Sequence, residues 1–560
     1  MKGSAAWSAS AAAAGVADAR VADGSSAAAA PRFDGLQAMR HSYLVLVAVA
    51  AVVQLLFFGG HEDNILATLI VLASSLVGIG YALDSDRFRA HPVSALILLM
   101  YTTTATAFAL LVKTLEWTAL VDRLQMPLTT FTVLFVVQLA LLAADRVYLR
   151  SALLQRLRHG LSQRIIAPLG ALQWPTDAQF WMMGLIGCVS VLLTGTDYES
   201  DASFGLASAG MKLIRAFGFL KFAPFLIPFR NALSGVPVEP SRRRVSLLPL
   251  ALYFAALVAI SFATNSRSTF ADAIPTVALC ALVAQALGRL DLRRVGLPTL
   301  LLWALAAVVA ATLLGRVALA MVVVRDYRYN SDVATLVRMT FEALGNSQWL
   351  ESAKARMDTA VNVANYSETY VDSRFLARFV LTKFHDNVLY YFSLMGPDQV
   401  ASYKGFMLDR LAGTFPDPLL RAFGILINKQ DLVVSNGDYV VYLVDSWGLG
   451  GFKTGSMIGE TYGVWGPAFV LVLVPAALML WVFHDAFVVR TPGGQLAFSP
   501  LILLLIWNLV GTTAAFGLGA ESVTAVPAGI LRGLPQNLLF YLLALFAVRA
   551  ASRLAGAAVR

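Results

Sequence analysis

Charge is scarce in this chain. Asp, Glu, Lys and Arg make up 14% of its 560 residues, against 58% hydrophobic residues and a mean hydropathy of +0.68. So little charge excludes an ordinary soluble domain and places the chain in the integral-membrane class. Cysteine is nearly absent. Cys188 and Cys280 each lie in the middle of an apolar run, which excludes a disulfide framework and says nothing of redox compartment. A Walker A loop, Gly-x-Ser-x-Gly, His-Glu-x-x-His and Cys–His zinc spacing are all missing, so no metal site is expected. Neither a solenoid-period repeat nor the hydropathy symmetry of many transporters is visible. The net charge of +9 reflects the Lys- and Arg-rich inside loops of a polytopic protein, and nucleic-acid binding is not expected.

What fills the chain is a succession of apolar runs. Twelve are long enough to span a hydrocarbon core that about 20 helical residues cross. They lie near 42–58, 64–83, 92–112, 127–144, 178–195, 206–229, 245–263, 269–287, 297–320, 463–483, 497–514 and 528–548. Residues 1–40, rich in Ala, Ser and Gly, are predicted as a disordered cytoplasmic tail. The first run starts at Tyr43 behind Arg32 and Arg40, which fits a first span with its N-terminus inside and no cleaved signal peptide. Alternation from that start puts Arg87, Arg89, the arginines of 146–164, Arg230, Arg242, Arg243, Arg244, Arg289, Arg293, Arg294 and Arg490 inside. The short outside connections keep only Lys113, Arg123 and Arg267, as the positive-inside rule requires. The expected fold is therefore an all-α polytopic protein of about 12 transmembrane helices. Helices 1–9 occupy 41–321, a large outside loop 322–462, helices 10–12 463–548, and an inside tail 549–560. Both termini are expected in the cytoplasm. Leu149, Leu153, Leu157 and Leu161 recur every four residues among arginines, which predicts a basic amphipathic helix on the inner leaflet.

The 322–462 interval is the one long polar stretch, yet it mixes Leu, Val and Phe with its charges and can bury a small core. Arg374, Arg378, Lys383, His385 and Asp386 are predicted on one amphipathic helix, with Arg374 and Arg378 on one face. A second polar group runs from Asp417 and Arg421 through Lys429 and Asp431 to Asp438 and Asp445. Near-balanced charge makes many of these ordinary surface pairs.

Cations within spans carry a different message. Lys212, Arg215 and Lys221 fall in the sixth run, and an ionised group near mid-depth costs about 2.5–3.5 kcal/mol. Such a group faces a cavity or an anionic ligand, or pairs with an acid on a neighbouring helix. Arg267 stands in Asn265-Ser266-Arg267-Ser268-Thr269, where Thr269 and Asp272 have capping-box spacing. Beside a helix N-terminus it would suit phosphate; the alternative is an interfacial arginine that caps nothing. Asp84-Ser85-Asp86 has the look of a metal–sugar-nucleotide motif, but its place beside Arg87 and Arg89 favours a turn.

The segment from Gly455 through Ser456, Gly459, Glu460 and Tyr462 to Trp465 and Gly466 resembles the one preceding a late span in Wzy-type polymerases. These are the O-antigen and oligosaccharide repeat-unit polymerases of bacterial envelopes. Thr414–Arg421 with Asn428 and Lys429, and the step from Asn265 to Arg267, resemble the same family, as does the layout along nearly the whole chain. The resemblance implies a GT-C-like bundle in the bacterial inner membrane, with a large, mainly helical periplasmic loop. It also implies a reaction: transfer of a polyprenyl-diphosphate-linked glycan en bloc onto an incoming lipid-linked repeat unit, with no cofactor. A chain-length regulator is a partner such an enzyme would have. Arg267, Arg215 and Arg421, supported by Lys212, Arg374 and Arg378, would bind the diphosphate, because guanidinium groups stay charged and fork onto phosphate. Glu460, Asp438 and His385 would position or deprotonate the acceptor. The alternatives are an O-antigen ligase, or a transporter or flippase of an anionic substrate.

Overall fold

A computed structural model describes residues 35–195, 209–235, 246–290 without 265 and 267, 315–324 without 318 and 322, 333–352, 366–373, 376–446, 449–510 without 452, and 521–558. The protein is almost all helical (77%), and among the described residues eight helices are long and apolar enough to cross a membrane. In order these begin with α1 (Gly35–Phe57), α2 (Glu62–Ala82), α3 (Pro92–Leu115) and α4 (Pro127–Arg150). After the short α5 (Ala152–Leu161) come α6 (Asp177–Thr194), the shorter apolar α7 (Leu247–Ala263) and α8 (Ser268–Ala286).

The polar interval supplies α9 (Thr382–Leu394), α10 (Pro397–Ala412), α11 (Asp417–Ala422) and α12 (Asn436–Asp445). Two long helices follow, α13 (Met457–Asp485) and α14 (Ala525–Leu554). Between them lies a small antiparallel hairpin of β1 (Val488–Arg490) and β2 (Leu496–Phe498), with Val489 opposite Ala497.

Departures from the sequence expectation have local causes. The sixth run divides into a helix over Ala209–Arg215 and a 3-10 helix over Gly218–Phe229, because Pro224 and Pro228 lack the N–H that a continuous α-helix needs. Chain reversal at Thr491–Gln495 is helped by Gly494 in the left-handed region (φ 74°), and this turns part of the predicted inside connection into the hairpin. Leu149 ends α4 instead of beginning the amphipathic helix. Ser151 interrupts the chain and caps α5 by accepting the Leu154 N–H at 3.4 Å. The eighth run opens at Ser268, one residue before Thr269, and Asp272 falls at a break within it with no side-chain cap. Most of the ninth run, part of the eleventh and the tail 1–34 lie outside the described residues.

The polar interval reaches into the bundle. α3 contains a π turn over Thr103–Ala107, which leaves backbone carbonyls without their usual helical partners. Thr104 O accepts the Leu381 N–H at 2.9 Å, and Ala105 O accepts the Thr382 hydroxyl at 2.8 Å. One turn on, the buried Asp386 carboxylate caps α4 from a distance. It accepts the N–H groups of Gln125 (2.9 Å) and Met126 (2.8 Å), the Thr130 hydroxyl (3.2 Å) and the Lys383 ammonium (2.9 Å). These contacts explain why Arg378 and His385 do not share the one amphipathic helix predicted for 374–386. The chain forms a 3-10 turn over Leu376–Phe379, docks Leu381 and Thr382 on α3, and only then starts α9.

At the Asp485 end of α13 the bundle is tied by ions. Arg87 binds Asp145 with two parallel hydrogen bonds of 2.7 and 2.8 Å, and the Tyr81 hydroxyl donates to the same carboxylate at 2.8 Å. Asp485 accepts the N–H groups of Val93 and Ser94 and the Tyr148 hydroxyl, with His91 Nδ1 at 3.6 Å. Asp84 accepts the Arg87 N–H at 3.0 Å, so the Asp84-Ser85-Asp86 motif serves as a helix cap.

Candidate functional site

The opposite end of α13 carries a carboxylate with a different environment. Ser456 caps this helix by accepting the Gly459 N–H at 2.8 Å, and its oxygen lies 2.7 Å from His385 Nδ1. Gly459 and Gly463 are four apart on one face. A Cβ at either would collide with Val388 or with the Phe392 ring, so the missing side chains let α9 seat directly on the backbone of α13. That packing places Glu460, which is fully buried, in the first turn.

Four neutral donors hold the Glu460 carboxylate among the described residues. One oxygen accepts the Ser522 hydroxyl (2.7 Å) and the Val523 N–H (2.6 Å). The other accepts the Tyr403 hydroxyl (2.8 Å) and the Asn436 amide (3.1 Å). Asn436 opens α12, whose Ser435 cap accepts the Asp438 N–H at 3.0 Å. Its side-chain carbonyl accepts from Arg410, and its amide also reaches Glu521 O at 3.3 Å. Arg410 projects from α10 over the Phe406 ring and donates to Val434 O at 3.3 Å. A guanidinium thus stands one amide away from Glu460.

Further acids surround this core. The buried Asp438 accepts the N–H groups of Gly450 (3.1 Å) and Lys453 (2.9 Å), with the Lys453 ammonium at 3.7 Å. Glu368 accepts the Thr454 N–H at 2.7 Å, and the Tyr366 hydroxyl donates to Thr454 O at 2.6 Å. Burial pushes the Glu368 carboxyl up, and the nearby Asp438 adds to that rise against the hydrogen bonds from Thr454. Burial also raises Glu521, with Arg410 pulling back and Glu368 and Asp438 pushing further. His385, sealed under α13, is driven down to about 3 by burial and stays neutral. Carboxylates, neutral hydroxyls and two cations gathered in a dry site can orient a hydroxyl, take its proton and answer developing negative charge. Among the described residues no group of three or more His, Cys, Asp or Glu is arranged to hold a metal ion.

The structure therefore brings Glu460, Asp438 and His385 into one region through α9, α12 and α13. Of the cations put forward from the sequence, the described ones lie outside this cluster. Lys212 and Arg215 are exposed on the helix Ala209–Arg215, where Lys212 lines an open groove of about 430 Å³ with Leu213, Pro535, Gln536, Leu539 and Phe540. Arg421 is exposed on α11 near Asp417, whose carboxyl is held below its usual range by the Lys429 ammonium 2.7 Å away. Arg267, Arg374 and the Arg378 side chain lie outside the described residues.

Sequence reasoning passed over Arg410, Tyr403, Asn436, Glu368 and Glu521. A signal for the first two exists: Tyr403, Phe406 and Arg410 share one face of a helix at i, i+3, i+7 spacing. No family model, curated protein or solved structure matches the chain.

Proposed function

We propose that this chain is a glycosyltransferase of the Wzy-like class, a polymerase of lipid-linked oligosaccharides in a bacterial inner membrane. About twelve spans and a periplasmic 322–462 loop complete that reading, with both termini in the cytoplasm. The observation that carries it is the Glu460 site: a buried carboxylate held by neutral donors, with Arg410 and Lys453 close by, where the polar insert meets the spans.

The reaction asks little more of a protein. The acceptor hydroxyl oxygen bonds to the anomeric carbon of the growing glycan, the bond from that carbon to the diphosphate breaks, and the lipid diphosphate leaves with the electron pair. Glu460 takes the hydroxyl proton after the acceptor displaces one of its hydroxyl donors. Asp438 and its Lys453 partner shape the acceptor side, and His385 fixes Ser456 and through it the first turn of α13. Arg410 is the guanidinium nearest the carboxylate among the described residues and the candidate to meet the leaving diphosphate, with Arg267, Arg374, Arg378 and Arg421 kept as further candidates for that role. The groove lined by Lys212 suits the anionic lipid arm, because its ammonium and the Gln536 amide stand beside Leu213, Pro535, Leu539 and Phe540.

Complementation of a deletion strain tests this reading. Wild-type chain restores long surface glycan, whereas Glu460→Gln leaves a single repeat unit. Full-length glycan with Glu460→Gln would remove the site from the reaction. Unattached lipid-linked polymer in the deletion strain would identify a ligase instead, and loss of all surface repeat units a flippase.

A further inference from the structure

A polar cavity lies at the Asp485 end of α13, the opposite end of that helix from Glu460. It has a volume of about 220 Å³ and is enclosed by α5 with its following π turn, the start of α3 and the β-hairpin. Its polar lining is Arg158, His159, Ser162, Gln163, Asp485 and Arg490. Ser162 is 5% exposed, and its hydroxyl has no hydrogen-bond partner among the described residues, which leaves a buried donor beside two guanidinium groups.

The balance of charge favours an anion. Arg490 donates to Arg89 O at 3.0 Å and keeps its positive charge uncompensated by that carbonyl. Arg158 contacts His91 Nδ1 at 3.2 Å and His159 Nε2 at 3.3 Å, both imidazole nitrogens. Asp485 is the acid in the lining, and both its oxygens already accept from Val93, Ser94 and Tyr148. At about 30 Å³ per water, the volume admits a phosphate and the group esterified to it.

The surroundings identify the source of that phosphate. α5 has no buried residue. Leu153 is 74% exposed on it, and Leu157, Ile165 and Leu169 continue an apolar face along the same segment. A helix with exposed leucines and arginines beside a bundle of spans lies in the membrane interface, so the cavity opens at headgroup level. We propose that this cavity binds the phosphate of an anionic phospholipid headgroup, with Arg158, Arg490 and the Ser162 hydroxyl as donors.

Native mass spectrometry and thermal melting of the full-length protein in neutral detergent test the proposal. The probes are phosphatidylglycerol, phosphatidylcholine and inorganic phosphate. Phosphatidylglycerol should bind and raise the melting temperature above that reached with phosphatidylcholine. Arg490→Gln should bind it roughly fivefold more weakly. Ser162→Asp, which sets a carboxylate among the donors, should abolish the preference while phosphatidylcholine still supports the fold. Equal effects of the two lipids, or wild-type preference in both variants, would overturn the site. Equal stabilisation by inorganic phosphate would overturn the lipid assignment.

Discussion

The two ends of α13 handle a buried carboxylate in opposite ways. At one end Asp145 is met by Arg87 and the Tyr81 hydroxyl, and Asp485 by the His91 imidazole, two backbone N–H groups and the Tyr148 hydroxyl. At the other end Glu460 is met by a phenol, an amide, a hydroxyl and a backbone N–H, while further acids crowd around it. A carboxylate locked to a guanidinium by two parallel hydrogen bonds serves to hold helices together. One held only by neutral donors can trade a donor for a substrate hydroxyl. A carboxylate is thus met by a guanidinium at one end and by neutral donors alone at the other.

This contrast can be broken by experiment. Asp145→Ala strands Arg87 in the core and should cost about 3–5 kcal/mol, read by thermal or denaturant unfolding. Glu460→Ala leaves only neutral donors unsatisfied and should cost about 1–3 kcal/mol. Equal costs would erase the distinction. Next in size, Glu460→Gln should keep the protein folded yet slow repeat-unit transfer roughly 10²-fold or more in a membrane assay with lipid-linked substrate.

A pH series sharpens the comparison further. His385 falls from an ordinary 6.5 to about 3 in the fold, so the unfolded chain binds its proton first as the solution is acidified. Stability should therefore decline from pH 6.5 downward and level off near the folded value, by up to a few kcal/mol, and His385→Gln should flatten that decline. Glu368 and Glu521 act with the opposite sign. Their raised values make the folded state prefer the protonated form, so their contribution is largest at low pH and is lost as pH rises past the ordinary carboxyl range. The smallest effect is expected on the surface, where Arg421→Ala should change stability by no more than about 0.5 kcal/mol.

Much of the bundle was legible because spanning helices are written as uninterrupted apolar runs. The break in the sixth run was not anticipated, although Pro224 and Pro228 sit inside it. Nor was the hairpin, although a turn-rich Thr491-Pro492-Gly493-Gly494 separates its two short strands. Of the site, Glu460 stood out in the Gly455–Gly466 segment, and His385 and Asp438 as ionisable residues of the polar interval to which the resemblance gave a role. What the sequence hid were partners that meet only through tertiary packing. Arg410 finds Asn436 across a loop, Ser522 reaches Glu460 from beyond a complete span, and Asp386 caps a helix that starts far earlier in the chain. No local pattern marks such pairs, because each residue alone reads as an ordinary surface polar group.

The π turn of α3 has a consequence for how this molecule can move. Thr104 and Ala105 have turned their carbonyls toward Leu381 and Thr382, so withdrawing α9 would strand two acceptors in a waterless interior. α9 behaves as a keystone, not as a flap. Any opening of the bundle must come from segments that are not pinned this way.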